Sequence, residues 1–144
     1  MSWVLPTISV EKPWGKDMLP APFEAPAGQR IGEIWFEDDA DDLPLMIKYL
    51  FTSEKLSIQV HPSDDQAKAM GLGSGKEECW LVLDAEPGAT LGIGTQRSLS
   101  DEDLRAAALD GSIEALMDWK PVERGDFFYI PAGTVHAIGA GVSL

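Results

Sequence analysis

The chain contains two histidines, and each stands beside residues that give it a chemical setting. The first is in Gln59-Val60-His61. In an extended strand residues i and i+2 share a face, so Gln59 and His61 project together while Val60 points the other way. If that face is an interior, an imidazole and a carboxamide converge on one cavity. A strand carrying two polar residues at the surface would give the same spacing. The second histidine closes Gly125-Asp-Phe-Phe-Tyr-Ile-Pro131-Ala-Gly133-Thr-Val-His136. Gly125 permits a tight turn into a strand, and Pro131 with Gly133 makes a hairpin bend. His136 then opens the return strand, where it either points inward or is incidental to a plain Pro-Gly hairpin. Between the two histidines lie two adjacent acids, Glu77 and Glu78. If Glu78–Ala85 is one strand, these acids face opposite ways and only one of them can serve a common site.

The elements that would position these groups read as mostly β. Five prolines within the first thirty residues suggest an extended arm with short strands. Ile31–Phe36, Leu43–Phe51, Lys55–His61, Glu78–Ala85, Ala89–Gly94, Asp126–Ile130 and Val135–Ile138 are strand candidates. Glu37–Asp42 reads as an acidic turn, and Val142–Leu144 as the opening of another strand. Ser63–Met70 begins with a capping-box pattern, Ser63 with Gln66 three residues on, and predicts a short helix. Ser100–Leu109 predicts a helix capped by Ser100, and Ser112–Trp119 a second one. Many short strands around a small helical insertion at about residues 100–119 predict one mainly-β domain, a barrel or jelly roll.

Composition narrows the partners. The chain has 144 residues, 11 Lys+Arg against 24 Asp+Glu, and a formal net charge of −13. Such a field repels nucleic acid and anionic membranes, so neither is expected as a partner. A phosphorylated ligand would need a local basic pocket. No apolar run is long enough to span a bilayer. The N-terminus has no signal-peptide pattern and Cys79 is the single cysteine, which together fit a reducing, cytoplasmic compartment.

The spacing G-x5-P-x-G-x2-H ending at His136 resembles the second signature motif of the cupin superfamily. Leu56-Ser-Ile-Gln-Val-His61-Pro62, followed by Gly75-Lys-Glu-Glu-Cys-Trp80, resembles type I phosphomannose isomerase (mannose-6-phosphate isomerase). Trp14-Gly15 resembles that family's N-terminal W-G. The resemblance implies a cupin-type jelly-roll barrel and a metal site of Gln59, His61, Glu78 and His136. Glu78 is selected over Glu77 because the family's glutamate stands two places after its lysine. Two imidazoles, a carboxylate and a carboxamide oxygen suit Zn²⁺, with Mn²⁺, Fe²⁺, Co²⁺ and Ni²⁺ also compatible.

The implied reaction interconverts mannose 6-phosphate and fructose 6-phosphate through a cis-enediol. Residue by residue, the resemblance puts Lys76 and Lys48 forward for acid–base work. Trp14, Ser57 and Lys48 become candidates for substrate binding. Either lysine could instead be solvated, Lys48 on a strand edge and Lys76 in its glycine-rich loop. The family continues beyond the hairpin histidine into a segment with an active-site glutamate and arginine. The Asn that the cupin motif often carries four residues after that histidine is Ala140 here. Neither Arg97 nor Arg124 matches the arginine. The barrel could therefore lack its last strands, with a second copy pairing on an exposed C-terminal strand edge as a homo-oligomer. Two rival functions follow: a non-catalytic metallo-cupin that binds a sugar or sugar phosphate, and a metal-dependent oxygenase.

Overall fold

The computed structural model describes residues 4–37 and 45–144. Strand β1, Thr7–Lys16, is a single ten-residue edge strand rather than an arm with short strands. Its register against β2, Ile31–Phe36, shifts on both sides of Glu11. Pro13 has no N–H to donate and is tolerated on an edge strand. Strand β3, Ile47–Leu50, pairs with the other side of β2. Leu43 and Pro44 of the expected strand, and most of the expected acidic turn, lie outside the described residues.

Lys55–His61 is not a ladder strand. Strand β9, His136–Ile138, is three residues long and holds this segment at two places only. Leu56 N–H donates to Ile138 O, and Gln59 exchanges two backbone bonds with His136. Helix α1, Asp64–Ala69, follows with its capping box formed in both directions.

The expected strand Glu78–Ala85 divides. Strand β4, Glu78–Leu81, pairs with β8, Phe127–Ile130, while β5, Asp84–Ala85, pairs with β10, Val142–Ser143. The chain changes partners at Val82 and Leu83, whose N–H groups donate to Asp126 O and Ser143 O. That change carries the chain around a barrel corner. Strand β6, Thr90–Thr95, lies between β9 and β7, Met117–Pro121.

The helical insertion comprises α2, Asp101–Asp110, and α3, Ile113–Leu116. The second helix is therefore shorter than expected. Met117–Pro121 leaves it as a strand because Met117 is fully buried and the segment pairs with Thr90–Thr95. Pro121 also disfavours helical geometry in the residue before it.

The C-terminal strand corrects a second expectation. Val142, Ser143 and Leu144 are buried. Leu50 and Leu144 exchange backbone bonds, and Thr52 N–H donates to Val142 O, while β5 pairs on the other side. β10 is thus flanked on both sides and offers no exposed edge to a second copy. The result is a cupin-type jelly roll. One wall runs β1-β2-β3-β10-β5, and the other joins β7-β6-β9 to the Leu56–Gln59 segment, with β4-β8 completing it. A core of Leu50, Trp80, Val82, Leu91, Ile130, Ile138 and Val142 fills the space between them. No helix among the described residues is long and apolar enough to cross a membrane.

Candidate metal centre

Three elements bring the site together. His61 stands just past the point where Gln59 bridges β9, Glu78 opens β4, and His136 opens β9 after the Pro131–Gly133 turn. Gly133 takes the turn at φ 80°, a conformation that favours glycine. The same turn is tied to the first histidine, because Gly133 N–H donates to His61 O at 2.8 Å. One ligand atom from each of His61, Glu78 and His136 lies within 4.8 Å of the others.

The atoms are oriented for coordination. His136 Nδ1 lies 2.9 Å from Thr134 O. A carbonyl can only accept, so Nδ1 carries the proton of the neutral ring and Nε2 presents a lone pair. That Nε2 is 4.0 Å from Glu78 Oε2, and His61 Nε2 is 3.1 Å from Glu78 Oε1. Atoms bound about 2 Å from a shared first-row ion lie about 3–4 Å apart, so these separations fit one ion. His61 Nε2–H donates to Glu78 in this arrangement, and a bound ion would replace that proton. The residues present therefore suit a divalent metal.

Glu78 is held from two further directions. Lys76 Nζ is 2.6 Å from Oε1, and Trp80 Nε1–H donates to Oε2 at 2.9 Å. Burial disfavours its charge, but the hydrogen bond and charge of Lys76 outweigh burial and lower its pKa. Burial, reinforced by the Lys76 charge, lowers the His61 pKa despite the opposing carboxylate. Both shifts favour ligand protonation states, carboxylate and neutral imidazole.

Glu77 faces away from this cluster, with its carboxylate at the exposed Tyr129 hydroxyl. Cys79 is exposed on the same outer face. Gln59 lines the cleft above the cluster and donates from Nε2 to Ser57 Oγ at 3.3 Å. That cleft has a volume of about 350 Å³, and Trp14, Lys48, Ser57 and Lys76 also line it. Trp14, Lys48, Ser57, Gln59, Lys76, Glu78 and His136 thus share one cleft, and His61 joins them through its contact with Glu78.

Sequence reasoning missed two charged residues in the cleft wall, Glu33 and Lys55. Glu33 is 6% exposed, accepts from Lys48 Nζ at 2.7 Å and accepts from Trp35 Nε1 at 3.0 Å. Its signal was a lone acid inside the apolar run Ile31–Phe36.

The family model described as "Phosphomannose isomerase type I, catalytic domain" matches residues 11–87, which include Gln59, His61 and Glu78. The chain belongs to the type I phosphomannose isomerase family. The mannose-6-phosphate isomerase of Streptococcus mutans is 38% identical over 112 residues, 78% of this chain and 35% of that protein. Mannose-6-phosphate isomerase ManA of Bacillus subtilis is 39% identical over 123 residues, 80% of this chain and 39% of that protein. The chain thus spans well under half the length of these curated relatives. The crystal structure of the mannose 6-phosphate isomerase from Bacillus subtilis superposes with a TM-score of 0.83 at 26% identity, covering 97% of this chain and 55% of that one. A putative mannosephosphate isomerase from Archaeoglobus fulgidus has the same fold, with a TM-score of 0.76 at 21% identity, covering 97% and 58%. His136 lies beyond the matched span and is brought to the other ligand candidates by the strand pairing of Gln59 with β9.

Proposed function

We propose that this chain is the metal-binding part of an aldose–ketose isomerase acting on mannose 6-phosphate. The observation that carries the reading is the convergence of His61, Glu78 and His136 at a cleft also lined by Lys76 and Lys48. Gln59 is the proposed fourth ligand and Zn²⁺ the proposed ion, because nitrogen and oxygen donors without a thiolate suit it. Bound there, the ion would supply a Lewis acid for the oxygens that gain charge during isomerisation.

The remaining work falls to side chains. Ring-opened mannose 6-phosphate has an aldehyde at C1 and a hydroxyl at C2. Isomerisation moves one proton from C2 to C1 and another from O2 to O1, by way of a cis-enediol. Lys76 and Lys48 are assigned to these proton movements, since both side chains reach the cleft: a free amine would take the C2 proton, and the ammonium so formed would return it to C1. Glu33 holds Lys48 from the buried side. Ser57 and Trp14 are assigned to sugar binding, one as a hydrogen-bonding hydroxyl and the other as an apolar wall.

The test is turnover of mannose 6-phosphate by the purified, metal-loaded chain, with and without chelator. Chelator-sensitive formation of fructose 6-phosphate supports the reading. A folded, metal-loaded chain that binds mannose 6-phosphate without converting it overturns the isomerase reading for this chain and supports the sugar-phosphate-binding metallo-cupin.

A further inference from the structure

Three lysines line the cleft, and their counter-charges differ in position. Lys48 pairs with Glu33, and Lys76 pairs with Glu78. Both acids line the cleft themselves, so each pair adds no net charge to it. Lys55 lines the same cleft, but its partner is Glu114 on α3, outside the lining. Lys55 is therefore the cleft lysine whose counter-charge stands outside the lining, among the described residues. In a chain of net charge −13, an anionic ligand depends on such a cation.

The pair is also built to exchange. The Glu114 side chain is 56% exposed, whereas those of Glu33 and Glu78 are 8% and 19% exposed. An exposed ion pair is weak and yields readily to a better acceptor. The lysine is held ready by its surroundings: its ammonium lies 5.6 Å from the centre of the Trp119 ring, and Trp119 Nε1–H donates to Glu114 O at 3.0 Å. Trp119 thus fixes both the cation and the turn of α3 that presents its partner.

We propose that Lys55 receives the phosphate of a cleft-bound sugar phosphate, and that Glu114 is a built-in competitor which the phosphate displaces. This deepens the isomerase reading and rests on it for the identity of the ligand. A phosphate oxygen offers Lys55 a charge-assisted hydrogen bond of at least equal strength, with more negative charge than a carboxylate.

The test measures inorganic phosphate binding to the chelator-treated chain by calorimetry, so that a bound ion does not contribute. Lys55→Met is expected to weaken binding about tenfold, as loss of one charge-assisted bond implies. Lys55→Arg is expected to retain most of it. Glu114→Gln is expected to tighten binding several-fold, a gain that simple loss of packing would not produce. Each variant is checked for the wild-type circular dichroism spectrum, and Lys55→Arg serves as the cationic control. Unchanged affinity in Lys55→Met, or weakening in Glu114→Gln equal to that in Lys55→Met, overturns the proposal. The two readings fail separately. Phosphate affinities that move as expected in a chain without turnover sink only the isomerase. Turnover with unmoved phosphate affinities sinks only the role of Lys55.

Discussion

Lys48 on β3 reaches across to Glu33 on β2, with 2.7 Å between Nζ and Oε1 and a nearly buried carboxylate. Trp35 Nε1–H occupies the second oxygen. Removing one member leaves the other without its charged partner in the cleft wall. Glu33→Gln is expected to lower unfolding free energy by about 1–3 kcal/mol. Adding Lys48→Met to it should cost less than the sum of the two single changes. Urea denaturation of the four proteins of this cycle measures the coupling.

The proposed metal ligands are separable by substitution. His61→Ala and His136→Ala are each expected to abolish stoichiometric metal retention. Glu78→Gln should do the same to a large extent, while Glu77→Gln should leave it intact. Native mass spectrometry of the purified variants gives the metal content. Equal loss in the two glutamate variants would contradict the outward placement of Glu77.

Gly75 precedes Lys76 and packs on the segment after His61. A Cβ at this position would lie 2.5 Å from Asp64 N, Pro62 O and Ser63 C, all backbone atoms. Gly75 N–H also donates to Asp64 Oδ1, and Lys76 N–H to Pro62 O. Gly75→Ala should therefore push apart the two segments that carry His61 and Lys76. The expected cost is about 1–3 kcal/mol, read as a lower Tm together with weaker metal binding.

Acid should destabilise the metal-free protein in two steps. The folded pKa of His61 lies below 6.5, so on acidification the unfolded chain takes up that proton first. Stability falls as pH drops through about 6.5. The folded pKa of Glu78 lies below 4.5, so its contribution is present above that value and is lost as pH falls through the folded pKa. Chelator-treated protein followed by urea denaturation from about pH 2 to 8 should gain stability up to near neutrality. His61→Asn should remove the upper step and leave the lower one.

The metal ligand candidates came from the resemblance of their motifs, with local rules adding which side chains share a face. Strand parity puts Glu77 and Glu78 on opposite faces, the resemblance selects Glu78, and the Pro131–Gly133 turn opens β9 at His136, whose place beside His61 also depends on the remote pairing with Gln59. The capping box of α1 was legible from local rules alone, since Ser63 and Gln66 satisfy each other. What was hidden depends on pairing between remote segments. The break at Val82–Leu83 arises because two different partners, β8 and β10, claim successive parts of one apolar run. Met117–Pro121 became a strand because β6 needed a partner there, although its composition continues that of a helix. Lys55 gave no signal because its meaning comes from where Glu114 lies, on an element far along the chain.

The two-sided pairing of β10 also bears on the order in which the molecule forms. Thr52 Oγ accepts from Val142 N–H at 3.1 Å across 90 positions of sequence. A contact of such separation closes a large loop and forms late. During synthesis, Gln59, His61 and Glu78 leave the ribosome well before His136 and Val142 follow. Barrel closure and assembly of the imidazole pair are then one event. Until it occurs, Leu50 lacks its partners Val142 and Leu144, and the nascent chain lacks the second imidazole of the site. Under the proposed function, metal capture would wait until the barrel is closed, and a purified chain refolded with and without Zn²⁺ should differ more in final stability than in folding rate.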